Sequence, residues 1–312
     1  VARKISPLEE QFDRIAALRR EQPSPAGTAE LAKYLGGKIN LLAAKAARVA
    51  GEWQAAELAP ELAAAFERFM VKPETTDKRC EAKIAILKVL CQIEYPSPSV
   101  FLRGLRHVQM EPSFGPPVDT AAEVRALSAM GLAQTDYPEA LEEIVPLLLD
   151  REIDARIGAV RAIAASGLAG DVLLLRLKAL SGDEPEVLGE CFAALLRAAP
   201  EKSVDFVAQF LERREEAVAE AAALALGDSR VESALPVLRA AFEQGRNRAL
   251  GRTLLLSIAL LRRENAIDYL LDLVRHGEEQ TAADALAALA MYEQGPSLQE
   301  RIAQARAARV AE

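Results

Sequence analysis

The chain has 312 residues and a net charge of −8, and its 60 Ala and 44 Leu fill one third of all positions. Only 5% of residues are aromatic and no Asn-Gly or Asp-Gly hairpin turn occurs, whereas Ala, Leu, Glu and Arg are strong helix formers. This composition excludes an α/β core, a β-sandwich and a β-barrel.

Charge is spread evenly, with 19 basic and 23 acidic groups in residues 1–155 and the same numbers in 156–312. There is no basic tail, and the acidic sign is opposite to the footprint of a nucleic-acid-binding domain. The chain opens on Val1 rather than Met, which leaves room for an upstream segment. It shows no apolar signal core and no run of 18 uncharged apolar residues, so a cytoplasmic location is expected. Cys80 and Cys91 lie 11 positions apart on one expected helix, about 16 Å at helical rise. That is beyond disulfide reach, and both, with Cys191, read as core thiols.

In chain order, Ser6-Pro-Leu-Glu-Glu predicts a first helix to about Gln22, with Ser6 as N-cap and Pro7 in the first turn. Pro23-Ser-Pro25 ends it, so residues 1–27 form a capping helix and linker. From 28 to 292 an internal repeat takes over. Ten-residue windows related to Val218-Ala-Glu-Ala-Ala-Ala-Leu-Ala-Leu-Gly227 begin at Leu42, Ala82, Ala122, Ala155, Val187, Val218, Leu250 and Thr281. Their fifth and ninth residues are small or apolar throughout, and a further amphipathic stretch precedes each window. A hairpin of about 31 residues buries its apolar faces only by stacking on its neighbours, the logic of a solenoid. The prediction is an all-α solenoid (superhelix) of eight helical hairpins. Residues 293–312, with Pro296–Ala311 as their helix, close it as a C-terminal cap. Pro146 and Pro236 are expected to start or kink first helices. The spacing of 40 before Ala122 contains Glu111-Pro-Ser-Phe-Gly-Pro-Pro-Val118, a rigid connection whose Phe114 either folds onto the core or stands out for binding.

The stretch Leu149-Asp-Arg-Glu-Ile-Asp-Ala-Arg156-Ile-Gly-Ala-Val-Arg-Ala-Ile163 resembles the HEAT-like repeat, in the short form named after phycobilisome lyases. In that family an Asp before the second helix and an Arg near its start tie neighbouring repeats together, which implies this role for Asp150 and Arg156. Later units hold Leu188, Ala219, Gly251 and Ala282 at the Arg position, and Gly182, Arg213, Gly245 and His276 at the Asp position. The polar ladder is therefore expected to be largely absent. The resemblance implies protein binding or scaffolding.

Sequence motifs for chemistry are scarce. There is no phosphate-binding glycine loop, no His-Glu-x-x-His, no Cys-x-x-Cys and no Gly-x-Ser-x-Gly. His107 and His276 stand alone, so no metal, cofactor or catalytic set is assigned. A bilin-lyase-like subunit and a HEAT-like DNA glycosylase are the alternatives from other classes, the latter opposed by the single Trp, Trp53, and by the net charge of −8. Window positions four and seven face away from the predicted buried stripe. They carry Lys45, Arg48, Lys88, Arg125 and Arg161 in the first four units, then Leu224 and Leu256 further on. With Phe114 these are the expected partner-binding residues, on a concave face suited to a protein or peptide with an acidic segment.

Overall fold

The computed structural model describes residues 6–167, 170–245, 247–290 and 296–311. The expected boundary at 292/293 lies outside the described residues. The fold is an all-α solenoid, with nineteen α-helices among the described residues, and the chain divides into two compact units, Val1–Leu168 and Ala169–Glu312.

The first unit opens with α1 (Pro7–Leu18), α2 (Pro25–Leu35), α3 (Asn40–Glu52) and α4 (Ala59–Phe69). It continues with the single turn α5 (Pro73–Thr76), then α6 (Glu81–Gln92), α7 (Pro98–Leu105), α8 (Ala122–Ala133), α9 (Ala140–Ile144) and α10 (Ile153–Ser166). Between α7 and α8 a two-stranded ribbon, β1 (Met110–Glu111) and β2 (Val118–Asp119), pairs antiparallel with Met110 opposite Asp119. The second unit runs α11 (Asp171–Ser181), α12 (Pro185–Ala198), α13 (Pro200–Ala208), α14 (Glu216–Asp228), α15 (Ala234–Glu243) and α16 (Arg248–Leu260). It ends with α17 (Glu264–His276), α18 (Glu279–Ala290) and α19 (Pro296–Ala311).

Local sequence explains many of the helix ends. Ser6 and Glu9 form a reciprocal capping box, with Ser6 Oγ accepting from the Glu9 amide and Glu9 Oε2 from the Ser6 amide. Ser24 caps α2 ahead of Pro25, and Asn247 caps α16 through the Leu250 amide at 2.8 Å. Pro146 cannot donate to a continuing α-helix, and the chain tightens after Ile144 into a 3-10 turn over Val145–Leu149.

The eight repeat windows lie on α3, α6, α8, α10, α12, α14, α16 and α18. In the first unit α3 packs on α6, α6 on α8 and α8 on α10; in the second α12 packs on α14, α14 on α16 and α16 on α18. Small residues set the approach. A Cβ on Gly227 would stand 2.4 Å from the Ser257 carbonyl oxygen, and one on Gly131 would stand 2.2 Å from the Phe101 ring. Only glycine allows those surfaces to meet.

In seven windows the fifth and ninth residues are buried, but the window on α8 is out of register. Ala126 and Met130 are only half-buried, whereas Arg125, Ser128, Ala129 and Leu132 are buried. The equivalent window starts at Val124, 31 residues before Ala155, and places Arg125 opposite Arg156 in the repeat.

Candidate functional site

That register turns Arg125 from an expected surface cation into the centre of a buried polar seam. Its Nε and Nη2 donate to Asp150 at 2.8 and 2.9 Å, and Nη1 donates to Asp119 at 2.7 Å and to the His107 carbonyl at 2.8 Å. The guanidinium is 4% exposed. Its assignment to a binding face is therefore corrected: it locks one hairpin to the next. Arg156 continues the seam by donating to the Asp150 and Arg151 carbonyls.

One hairpin earlier the same six-residue spacing joins Asp77 to Lys83, both wholly buried and 3.0 Å apart. Asp77 also accepts from the Ala82 and Lys83 amides and from Asn40 Nδ2, so one carboxylate caps α6 and reaches α3. Buried Gln109 connects the two halves of the seam. Its side-chain amide donates to the Asp77 carbonyl and to Glu111, and its backbone amide donates to Asp119. The expectation that the ladder is largely absent thus fails in the first unit, where Lys83 and Arg125 share one role.

The seam is an anchor rather than a reacting centre. Burial pushes the Cys80 thiol up to about 11, which keeps it protonated and a poor nucleophile at neutral pH. Burial lowers the His107 pKa against the opposing hydrogen bond to Gln109, favouring the neutral ring. For Asp119 burial alone would raise the pKa, yet the Ala121 and Gln109 amides and Arg125 hold it below the usual carboxylate value. Glu111 follows the same balance, accepting from the Arg79 amide, Gln109 and Thr120. Among the described residues no group of three or more His, Cys, Asp or Glu side chains could hold a metal ion.

What the seam supports is the ribbon. Gln109, Glu111 and Asp119 hydrogen-bond into the seam, whereas Val108, Met110 and Val118 are each about half exposed. Phe114, at the tip, is fully exposed, and its loop is braced by Ser113 Oγ, which donates to the Pro116 carbonyl and accepts from the Gly115 amide. Leu149 and Ile153 flank Asp150 and are also exposed. The reading in which Phe114 folds onto the core is corrected, because the braced loop holds its ring fully in solvent at the tip of the ribbon.

The expected basic stripe has a different character. Arg48 pairs with Glu81 at 3.4 Å and Lys88 with Glu123 at 2.7 Å, each on the next repeat helix. Lys45 Nζ lies 4.9 Å from the centroid of the Phe12 ring. Arg161 is exposed on α10. In the second unit Leu224 is exposed on α14 and Leu256 is half-buried on α16. Within the first unit, buried Arg125 does not join Lys45, Arg48 and Lys88 on an exposed face. Trp53 packs on Gly27, where a Cβ would lie 2.7 Å from its ring.

Comparison with known proteins decides the repeat type. A family model described as HEAT repeats matches residues 171–250, which span α11 to the start of α16. Residues 171–250 carry HEAT repeats. No curated protein matches the sequence. Solved structures that resemble these repeats include human deoxyhypusine hydroxylase in complex with glycerol, at 18% identity and a TM-score of 0.33, covering 83% of this chain and 92% of that one. The Escherichia coli protein YibA aligns at 17% identity and a TM-score of 0.48 over 94% of this chain and all of its own. The CpcE–CpcF complex of phycocyanin lyase from Nostoc aligns at 13% identity and a TM-score of 0.38, covering 78% and 94%. Likenesses this distant transfer no activity to the HEAT repeats of this chain. No helix among the described residues is long and apolar enough to cross a membrane.

Proposed function

We propose that this HEAT-like repeat protein is a non-enzymatic scaffold that binds a protein partner through the ribbon carrying Phe114. The observation that carries this reading is an apolar surface turned outward on a base held inward by buried hydrogen bonds. Val108, Met110, Phe114 and Val118 expose side chains that water solvates poorly. The seam beneath fixes their arrangement, so a partner meets an ordered surface and less entropy is lost on binding. The stripe of Lys45, Arg48, Lys88 and Arg161 is secondary in this reading, since neighbouring acids already neutralise Arg48 and Lys88.

The test is capture of partners on the immobilised full chain, read by mass spectrometry for wild type, Phe114→Ser, and the double reversal Arg48→Glu with Lys88→Glu. Phe114→Ser is expected to weaken capture tenfold or more, about 1.4 kcal/mol, with the double reversal close to wild type. The opposite pattern would return the site to the stripe. A co-purifying pigment or cofactor would favour a lyase-type subunit.

A further inference from the structure

The corner formed by α5 and the turn after it carries three cations that the seam does not use. Lys72, Lys78 and Arg79 are exposed, and none has an acidic partner among the described residues. The Arg79 amide donates to Glu111 Oε1 at 2.6 Å, which sets this corner directly against the ribbon. Thr76 Oγ1 donates to the Val71 carbonyl at 3.0 Å, so exposed Val71 belongs to the same corner. The nearby carboxylates cancel these charges only in part: Asp77 is buried against Lys83 and Asp119 is held by Arg125, while Glu111, whose donors are all neutral, keeps its charge beside Arg79. Glu74 is the one exposed acid between residues 71 and 79.

We propose that the ribbon and this corner together bind an extended partner segment in which apolar or aromatic side chains are interspersed with Asp and Glu. The proposal rests on the ribbon being the partner site and adds the partner's chemistry. Apolar side chains of the segment cover Met110, Val118 and Phe114, and its carboxylates face Lys72, Lys78 and Arg79. In a chain of net charge −8 most of the surface repels an acidic segment, so a local cluster of unpaired cations sets where it lands and in which direction it lies. The attraction weakens with salt, because exposed charges are screened over about 8–10 Å.

The experiment measures fluorescence anisotropy of three labelled twelve-residue peptides on the full chain. Leu and Phe alternate with Glu in one peptide, with Lys in another and with Ser in the last. The Glu peptide is expected to bind at least tenfold more tightly than the Lys peptide in low salt. In Lys72→Glu with Lys78→Glu that preference reverses, and Phe114→Ser weakens the Glu peptide; thermal melting confirms that each variant is folded. Equal binding of all three peptides, or a preference untouched by the double reversal, overturns the acidic chemistry and leaves the ribbon as the site. If no peptide binds and Phe114→Ser also leaves partner capture intact, the ribbon itself fails as the site. Binding to phosphatidylserine vesicles without peptide binding, or a dimer lost in Phe114→Ser by sedimentation, overturns the proposal in favour of a lipid surface or a second copy.

Discussion

The two units stack the same hairpin with different chemistry at the join. In the first, Asp77–Lys83 and Asp119–Arg125–Asp150 run through the interior, whereas the second places Leu188, Ala219 and Ala282 at the equivalent position, all buried, and Gly251, and keeps one buried pair, Lys178–Asp183, ahead of α12. The connections explain the contrast. Residues 70–80 and 106–121 are long; the second carries the Gln109 and Ala121 amides inward to Asp119, and the first supplies Asp77, which accepts the Ala82 and Lys83 amides of α6. In the second unit the chain turns within 213–215 or 277–278, leaving few such amides to satisfy. Small-residue contacts such as Gly227 on Ser257 then suffice. The seam thus accompanies long connections, and the more elaborate of these bears the candidate site.

The sharpest way to break this comparison is Arg125→Ala, which leaves Asp119 and Asp150 without their shared cation. A loss of about 3–5 kcal/mol is expected, as for other buried pairs deprived of one partner. Hydrogen exchange should place that loss in α8, α10 and the ribbon, with α14 and α16 protected as before. A loss spread evenly over both units would mean that the seam is not a local device. In the second unit Leu226→Ala, at a wholly buried position, should cost about 2–5 kcal/mol by cavity formation. That loss should be confined to α12, α14 and α16.

Acid should separate the ribbon and α8 from α14 next. Asp119 and Glu111 have folded pKa values below their ordinary ones, so their stabilisation is fully present above the unfolded carboxylate values, about 4. It is lost as pH falls through the folded values. Exchange protection of the ribbon and α8 should therefore drop on acidification before that of α14. An unchanged order of protection between neutral pH and pH 3 would contradict this account. The smallest effect belongs to Lys88→Ala, which removes an exposed pair with Glu123 and should change stability by no more than about 0.5 kcal/mol in urea titration.

How much of the site was legible in sequence depended on which pattern was followed. Apolar periodicity placed the second helices but misread α8, where Ala-rich sequence allows several registers and Arg125 resembles any surface cation. The spacing Asp119-x5-Arg125 repeats Asp150-x5-Arg156, and Asp77-x5-Lys83 repeats it again; this polar signal fixes the register that alanine leaves ambiguous. The outward ribbon was harder to see, since a short apolar and polar alternation does not reveal which side meets the core.

Sequence by itself determined the helical class, the hairpin repeat and most of the buried stripe, because helix propensity and 3.6-residue periodicity are local properties. It also marked Phe114 as unusual, through the prolines and glycine around it. Only the tertiary structure decided whether each polar or aromatic side chain faced protein or water. Arg125 was drawn inside by Asp119, six residues away, together with Asp150 on the next hairpin, Arg48 and Lys88 were neutralised by the next hairpin, and Phe114 was left in solvent at the tip of the ribbon. Burial of a charge depends on partners brought together by packing, and such partners cannot be read from the periodicity of one helix.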